Sequence, residues 1–116
     1  MTTANTIVDF QAKQGEPLIV TATLLSADGS PANLTGLTVK FNMRPRGKAV
    51  PLIARGACTI VAPLLGTVQY SGVAADTATT GPVEAEFLTL NGTTLVQYFP
   101  DAKDTYLLGY ITPAIA

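Results

Sequence analysis

Hydrophobic and polar residues alternate along several short stretches of this chain. The most regular stretch is residues 37–44, in which every second side chain is apolar. The same alternation recurs at residues 66–72 and at residues 83–87, where Glu84 and Glu86 take the polar positions. A period of two directs one set of side chains toward a core and the other set toward solvent. The pattern therefore predicts half-buried β-strands.

Turn-forming residues separate the predicted strands at short intervals. Asp28-Gly29 and Asn91-Gly92 are dipeptides typical of tight turns, and prolines interrupt the chain elsewhere. No window of a dozen residues keeps a helical period without glycine or proline, so we expect at most a helical turn near Thr77 or Ala102. The predicted strands fall at residues 6–12, 18–25, 37–44, 49–54, 57–61, 66–72, 83–90, 93–99 and 104–112.

Short strands at this density predict an all-β fold. The expected architecture is an antiparallel β-sandwich of about seven to nine strands with no sizeable helix. A chain of 116 residues is long enough for one core but not for two. We therefore expect a single domain over residues 1–116, with residues 1–5 and 113–116 as flexible or partner-bound tails.

Charged side chains are scarce, and their scarcity narrows the range of partners that the protein could bind. They make up 13% of the chain, about half of the usual fraction, so the surface is either neutral and polar or covered by other subunits. A net charge of −1 gives no basic field for nucleic acid. No apolar run approaches the ~20 residues that cross a bilayer, so no membrane partner is expected. The N-terminus lacks a signal-peptide pattern, so we expect synthesis in a cytoplasm.

The chain offers little chemistry for catalysis. It has no histidine, and its single cysteine, Cys58, lies in a short apolar stretch typical of a buried side chain. Glu84 and Glu86 share one strand face, where two carboxylates suit solvent or a basic partner better than an acid–base pair. A calcium site built from Asp76, Asp101 and Asp104 matches no standard loop. We expect no enzyme, no cofactor and no metal.

Protein–protein contact is the chemistry that the remaining polar residues favour. Four of the seven basic residues lie within residues 44–55, where arginine can pair with carboxylates of a neighbouring subunit. Two tyrosines share one side of the last predicted strand, whereas Tyr70 and Phe87 fall on core positions. The candidate interface residues are Arg44, Arg46, Lys48, Arg55, Glu84, Glu86, Tyr106 and Tyr110.

Several motifs occur in a recognisable order along residues 7–112. DFQAKQG at residues 9–15 leads into TATL at residues 21–24, and DGSPANLTGLTVKFNMR follows at residues 28–44. GTVQY comes next at residues 66–70, then DTA at residues 76–78 with Gly81, and YFP ends the set at residues 98–100. This order resembles the N-terminal domain of phage baseplate upper proteins and related small tail proteins of long-tailed phages. The resemblance implies an immunoglobulin-like β-sandwich that attaches a peripheral device to the tail or baseplate without catalysis. Members of that family usually carry a long C-terminal extension, so a stand-alone adaptor or decoration subunit is the form expected here.

The sequence therefore favours a structural protein of a phage virion, located in the tail or baseplate and made in the host cytoplasm. Its expected partners are other virion proteins and further copies of itself. The alternative hypothesis is a carbohydrate-binding or adhesin-type β-sandwich module that contacts a host cell surface, because exposed tyrosines are platforms on which sugars stack.

Overall fold

A computed structural model describes residues 10–100 and 105–115, and these residues form an all-β fold. Short turns of 3-10 helix cover Pro63–Leu65 and Ala74–Thr77, the second of which confirms the helical turn expected near Thr77. Ala102 lies outside the described residues. No described helix is long and apolar enough to cross a membrane. The strands are β1 (Phe10–Lys13), β2 (Ile19–Thr23), β3 (Thr38–Pro45), β4 (Ile53–Ala62), β5 (Thr67–Ser71), β6 (Gly81–Asn91), β7 (Thr94–Phe99) and β8 (Leu107–Thr112).

The strands form one nearly closed sheet in the order β1-β8-β6-β3-β4-β5-β2. The two longest strands make this curvature possible. One edge of β6 pairs with β3, and its other edge is divided between β8 at residues 81–85 and β7 at residues 87–91. The first half of β4 pairs with β3 and its second half with β5, so β4 carries the sheet around the core.

The predicted all-β sandwich is confirmed, with one difference in strand direction. β1 runs parallel to β8, with Phe10 opposite Gly109, whereas the other pairings between described strands are antiparallel. Alternation of side chains does not encode direction, because it identifies a buried face without identifying the neighbouring strand. The hairpin signal at Asn91-Gly92 correctly predicts the antiparallel β6–β7 pair.

The structure corrects the prediction for residues 49–61. Two short strands were expected at residues 49–54 and 57–61, but one strand of ten residues begins at Ile53. Pro51 lies in the preceding loop, where its missing N–H is not needed. The pairing with β3 shifts register between Phe41 and Met43, so a β-bulge in β4 interrupts the alternation that would have marked a single strand.

An aromatic cluster fills the core between the strands. Phe41 of β3 is fully buried, and its ring centroid lies 4.7 Å from that of Tyr70, 5.0 Å from that of Phe87 and 6.3 Å from that of Phe10. These four rings come from four different strands, so the cluster joins both halves of the sheet. The predicted core positions of Tyr70 and Phe87 are confirmed.

The connection from β5 to β6 is held against the turn between β1 and β2. The buried Thr77 hydroxyl donates to the Glu16 carbonyl oxygen at 2.7 Å and accepts from the Gly15 amide at 2.9 Å. Asp76 Oδ2 accepts hydrogen bonds from the Tyr70 hydroxyl at 2.8 Å and from the Val73 amide at 3.0 Å. This connection lies at the surface, but the buried Thr77 attaches it to the turn between β1 and β2.

Candidate functional site

A groove of about 390 Å³ lies on the outer face of β3 and β6, beside the loop that precedes β4. Five of the eight candidate residues from the sequence line it. The lining consists of Asn42, Met43, Arg44, Ala49, Pro51, Ala54, Arg55, Glu84, Ala85, Glu86 and Tyr106. The structure thus brings both candidate glutamates, two of the candidate basic residues and one candidate tyrosine into a single site.

Arg44 is held in place at one end of the groove. The β3–β6 register sets it directly opposite Glu84, and Arg44 Nε lies 3.1 Å from Glu84 Oε1. Its guanidinium carbon also lies 4.8 Å from the centre of the Tyr106 ring, within the range of a cation–π contact. The hydrogen bond with Glu84 raises the pKa of Arg44. Because Arg44 covers one face of Tyr106, that face is not an open platform for a ligand.

A second chain of polar contacts crosses the groove two register positions away, at the Asn42–Glu86 pair. Asn42 Nδ2 donates to Glu86 Oε2 at 3.0 Å, and Asn42 Oδ1 accepts from the Arg55 amide at 2.7 Å. Glu84 and Glu86 therefore have separate partners, Arg44 and Asn42. Reasoning from the sequence did not single out Asn42. Its polar position between two buried residues of the most regular strand, opposite Glu86, was the available signal.

Arg55 reaches the groove through an unusual backbone conformation. Among the described residues it alone combines a side chain with a positive φ, 52°. That conformation favours glycine, and for other residues it costs roughly 1 kcal/mol. Arg55 lies in the bulge of β4, and bulges change the direction in which a side chain points. Its amide is satisfied by Asn42, so the bulge is part of the same hydrogen-bonded arrangement.

The other three candidates lie elsewhere. Arg46 and Tyr110 line a shallower depression with Phe10, Gln11, Pro82, Leu108 and Gly109. The Arg46 amide donates to the Pro82 carbonyl oxygen at 3.0 Å, which fixes the start of the loop after β3. Lys48 is exposed in that loop and lines neither depression. The four basic residues that are close in sequence therefore do not form one surface: two line the groove, one lines the second depression and one lines neither.

The remaining sequence candidates are placed as follows. Cys58 is only partly buried, and this burial raises the pKa of its thiol to about 12, so the thiolate is suppressed at neutral pH. Asp76 is occupied by its hydrogen bonds with Tyr70 and Val73. Asp101 and Asp104 lie outside the described residues. Within the described part of the chain, no group of three histidine, cysteine, aspartate or glutamate side chains is arranged to hold a metal ion.

No protein-family model and no curated protein sequence matches the chain significantly. Among solved structures, it is similar to the N-terminal domain of phage TP901-1 ORF48, with a TM-score of 0.60 and 14% sequence identity over 91% of this chain and 84% of that one. At this identity the likeness shows a shared fold. A chain in a structural study of T cell specificity and activation by the bacterial superantigen toxic shock syndrome toxin-1 also matches, with a TM-score of 0.44 and 11% identity over 95% of this chain and 97% of that one. The second likeness is too distant to bear on the argument.

Proposed function

We propose that this chain is a structural protein of a phage virion, an adaptor subunit of the tail or baseplate that acts by binding other virion proteins and further copies of itself. The observation that carries the proposal is the likeness in fold to a phage protein's N-terminal domain over nine-tenths of the chain. The ordered motifs at residues 28–44, 66–70, 76–78 and 98–100 support the same assignment. In this proposal the sandwich is of the immunoglobulin-like kind that such phage domains use.

The groove on β3 and β6 is the proposed contact with another virion protein. Its polar groups are held by one another before any partner arrives, because Arg44 is paired with Glu84 and Asn42 with Glu86. Preorganised side chains lose little rotamer entropy on binding. Arg55 is the group best placed to pair with a carboxylate of the partner, since no hydrogen bond or ion pair to another described residue holds its side chain. A guanidinium can bind a carboxylate bidentately.

The backbone of Arg55 supports a binding role. A glycine at this position would remove the cost of the positive φ, so stability alone does not account for an arginine there. Residues held in such conformations cluster at binding and active sites, which supports a role of the Arg55 guanidinium in binding. In an adaptor, that role is a contact with its partner.

The first experiment is to isolate intact particles and measure this chain by quantitative mass spectrometry. We expect it in a fixed stoichiometry with tail or baseplate proteins. A chain that is absent from particles, monomeric at high concentration and retained on a glycan array would overturn the proposal in favour of the carbohydrate-binding alternative.

The second experiment separates binding from stability with Arg55→Gly. This variant removes the guanidinium and suits the positive φ, so we expect unchanged or slightly raised stability but reduced incorporation into particles. Lys48→Ala is the matched control, because it removes one positive charge from an exposed loop residue that lines neither depression. Normal incorporation of Arg55→Gly would show that Arg55 makes no essential contact.

A further inference from the structure

The free edge of β2 lies in a part of the sheet that carries no charge. β2 ends the sheet and pairs only with β5 among the described strands. Neither β2 nor β5 contains a charged residue, and the half of β4 that pairs with β5, residues 58–62, contains none either. Interface centres are depleted in charge in the same way. The charged residues of the sheet lie instead on β1, β3, β6 and the first half of β4.

The hydrogen bonds at the ends of β2 establish which of its backbone groups are free. The Gly72 amide donates to the Leu18 carbonyl oxygen at 2.7 Å, and the Leu24 amide donates to the Gly66 carbonyl oxygen at 2.8 Å. In an antiparallel ladder, hydrogen-bonded pairs alternate with non-bonded pairs. The even-numbered residues of β2 therefore bond to β5, and the amides and carbonyls of Ile19, Thr21 and Thr23 point away from it.

This edge lacks the features by which proteins prevent edge pairing. Exposed edges are usually protected by lysine, proline or a bulge. β2 has none of these within Ile19–Thr23, and its register with β5 is uninterrupted. On its outer face Ile19 is 60% exposed and Thr21 is exposed. The other two edges differ, because β1 ends in a lysine and β7 pairs with β6 across a register shift.

We propose that β2 pairs with β2 of a second copy of this chain, antiparallel and about a two-fold axis at Thr21. In that register Thr21 lies opposite Thr21 of the second copy, and Ile19 lies opposite Thr23. Each residue whose backbone groups point away from β5 is then paired with an equivalent residue of the other copy. The two sheets then join through backbone hydrogen bonds, and cross-strand threonine pairs are favourable. A second copy fits this edge because a neutral strand meets an equally neutral strand, with no charge left unpaired.

The inference rests on the self-assembly part of the proposed function but does not involve the groove, which shares no residue with β2 or β5. A five-residue edge is about 17 Å long and buries little surface, so this contact alone belongs to the weak class of interfaces. In a particle, neighbouring subunits hold copies at high effective concentration, at which a weak contact of this kind is occupied.

A charge-swap experiment tests the two-fold register. Thr21→Lys and Thr21→Asp each place like-charged residues opposite each other across the axis, with Cα atoms about 5.5 Å apart, so each variant alone is expected to raise the dissociation constant of the dimer by up to about fivefold. An equimolar mixture places lysine opposite aspartate and is expected to restore association. Thr59→Lys is the matched control, because it lies on the same face but on β4, inside the sheet. The measurement is sedimentation velocity over a concentration series up to the millimolar range.

Each outcome decides something different. Weakened single variants and a restored mixture support the register, whereas weakened variants without restoration overturn the two-fold axis at Thr21. A wild-type multimer unaffected by either variant overturns the β2 contact but leaves self-assembly standing. A wild type that stays monomeric throughout overturns both. If either variant fails to fold, amide hydrogen exchange of the wild type decides instead: the Ile19, Thr21 and Thr23 amides should gain protection as concentration rises, and unchanged exchange would refute the pairing.

Discussion

The hydrogen bond between Tyr70 and Asp76 is expected to be a strong local determinant of stability. The Tyr70 hydroxyl donates to Asp76 Oδ2 at 2.8 Å, and the same oxygen caps the 3-10 turn by accepting from the Val73 amide. Tyr70→Phe keeps the ring, its 4.7 Å stacking on Phe41 and the backbone, and removes only the hydroxyl. The change therefore tests one hydrogen bond with little disturbance of packing.

The magnitude follows from the charge and burial of the pair. Hydrogen bonds to charged groups contribute about 1.5–3 kcal/mol. Asp76 is only half-buried, so water partly replaces the lost donor and we expect the lower end, about 1.5 kcal/mol for Tyr70→Phe. Asp76→Ala also loses the cap on the Val73 amide, so its expected cost is larger, about 2–3 kcal/mol. For a domain of this size, 1.5 kcal/mol lowers Tm by roughly 6 °C.

The assay is urea unfolding of the wild type, both single variants and the double variant, read as a thermodynamic cycle. We expect a coupling energy of about 1–1.5 kcal/mol between the two positions, because the double variant loses the shared bond only once. Tyr98→Phe is the control: Tyr98 is 37% exposed, and its loss of a hydroxyl should change stability by less than about 0.5 kcal/mol. Additive effects at positions 70 and 76 would show that the bond contributes nothing to folding.

Two further predictions concern the core and the response to alkali. Phe41→Ala removes the ring at the centre of the aromatic cluster and should lower the free energy of unfolding, measured in urea, by about 4 kcal/mol. Val96→Ala, on the exposed side of β7, should lower it by less than about 0.5 kcal/mol. Similar losses in the two variants would contradict the central position of Phe41. Burial raises the pKa of Cys58 to about 12, and burial, followed by the hydrogen bond to Asp76, raises the pKa of Tyr70. Both groups bind their protons more tightly in the folded state than in the unfolded state. Their contribution to folding stability is therefore complete below the pKa values of the unfolded chain, about 8.5 for cysteine and about 10 for tyrosine, and it is lost progressively as the pH rises above those values. Unfolding followed by circular dichroism from pH 8 to pH 12 should show falling stability; a rise over this interval would contradict the prediction.

The strands could be predicted from the sequence because their cause is local. Alternation at residues 37–44 and 83–87 identifies a buried face wherever the strand lies in the sheet, and the core positions of Phe41 and Phe87 follow from it. The parallel β1–β8 pair was beyond such reasoning, since it depends on which strands meet and not on any one strand.

The candidate site was predictable only in part, for the same reason. The sequence supplied Arg44 and Glu84 as separate candidates, but their ion pair exists because the β3–β6 register sets one opposite the other. The bulge that places Arg55 in the groove could not be predicted, because the residue with positive φ is an arginine and not the glycine that usually marks such a position. Asn42 was not predicted as a site residue, because the candidates were chosen by charge and by aromatic character and an asparagine has neither. In the structure its side chain nevertheless links Glu86 to the Arg55 backbone.

The low charge of this chain is unevenly distributed, and that distribution has a consequence for assembly. Paired charges line the groove on β3 and β6, whereas β2, β5 and the second half of β4 have none. A charged groove discriminates between partners, because a mismatched charge is costly there, whereas a neutral edge binds through backbone groups that every chain possesses. Selective contact with another protein is therefore better suited to the groove, and repeated contact between identical copies to the β2 edge. Because the two surfaces share no residue, Arg55→Gly should reduce incorporation into particles without changing self-association of the isolated chain, whereas Thr21→Lys should weaken that self-association. If Arg55→Gly also weakened self-association, the groove would take part in the contact between copies and this assignment of the two surfaces would be wrong.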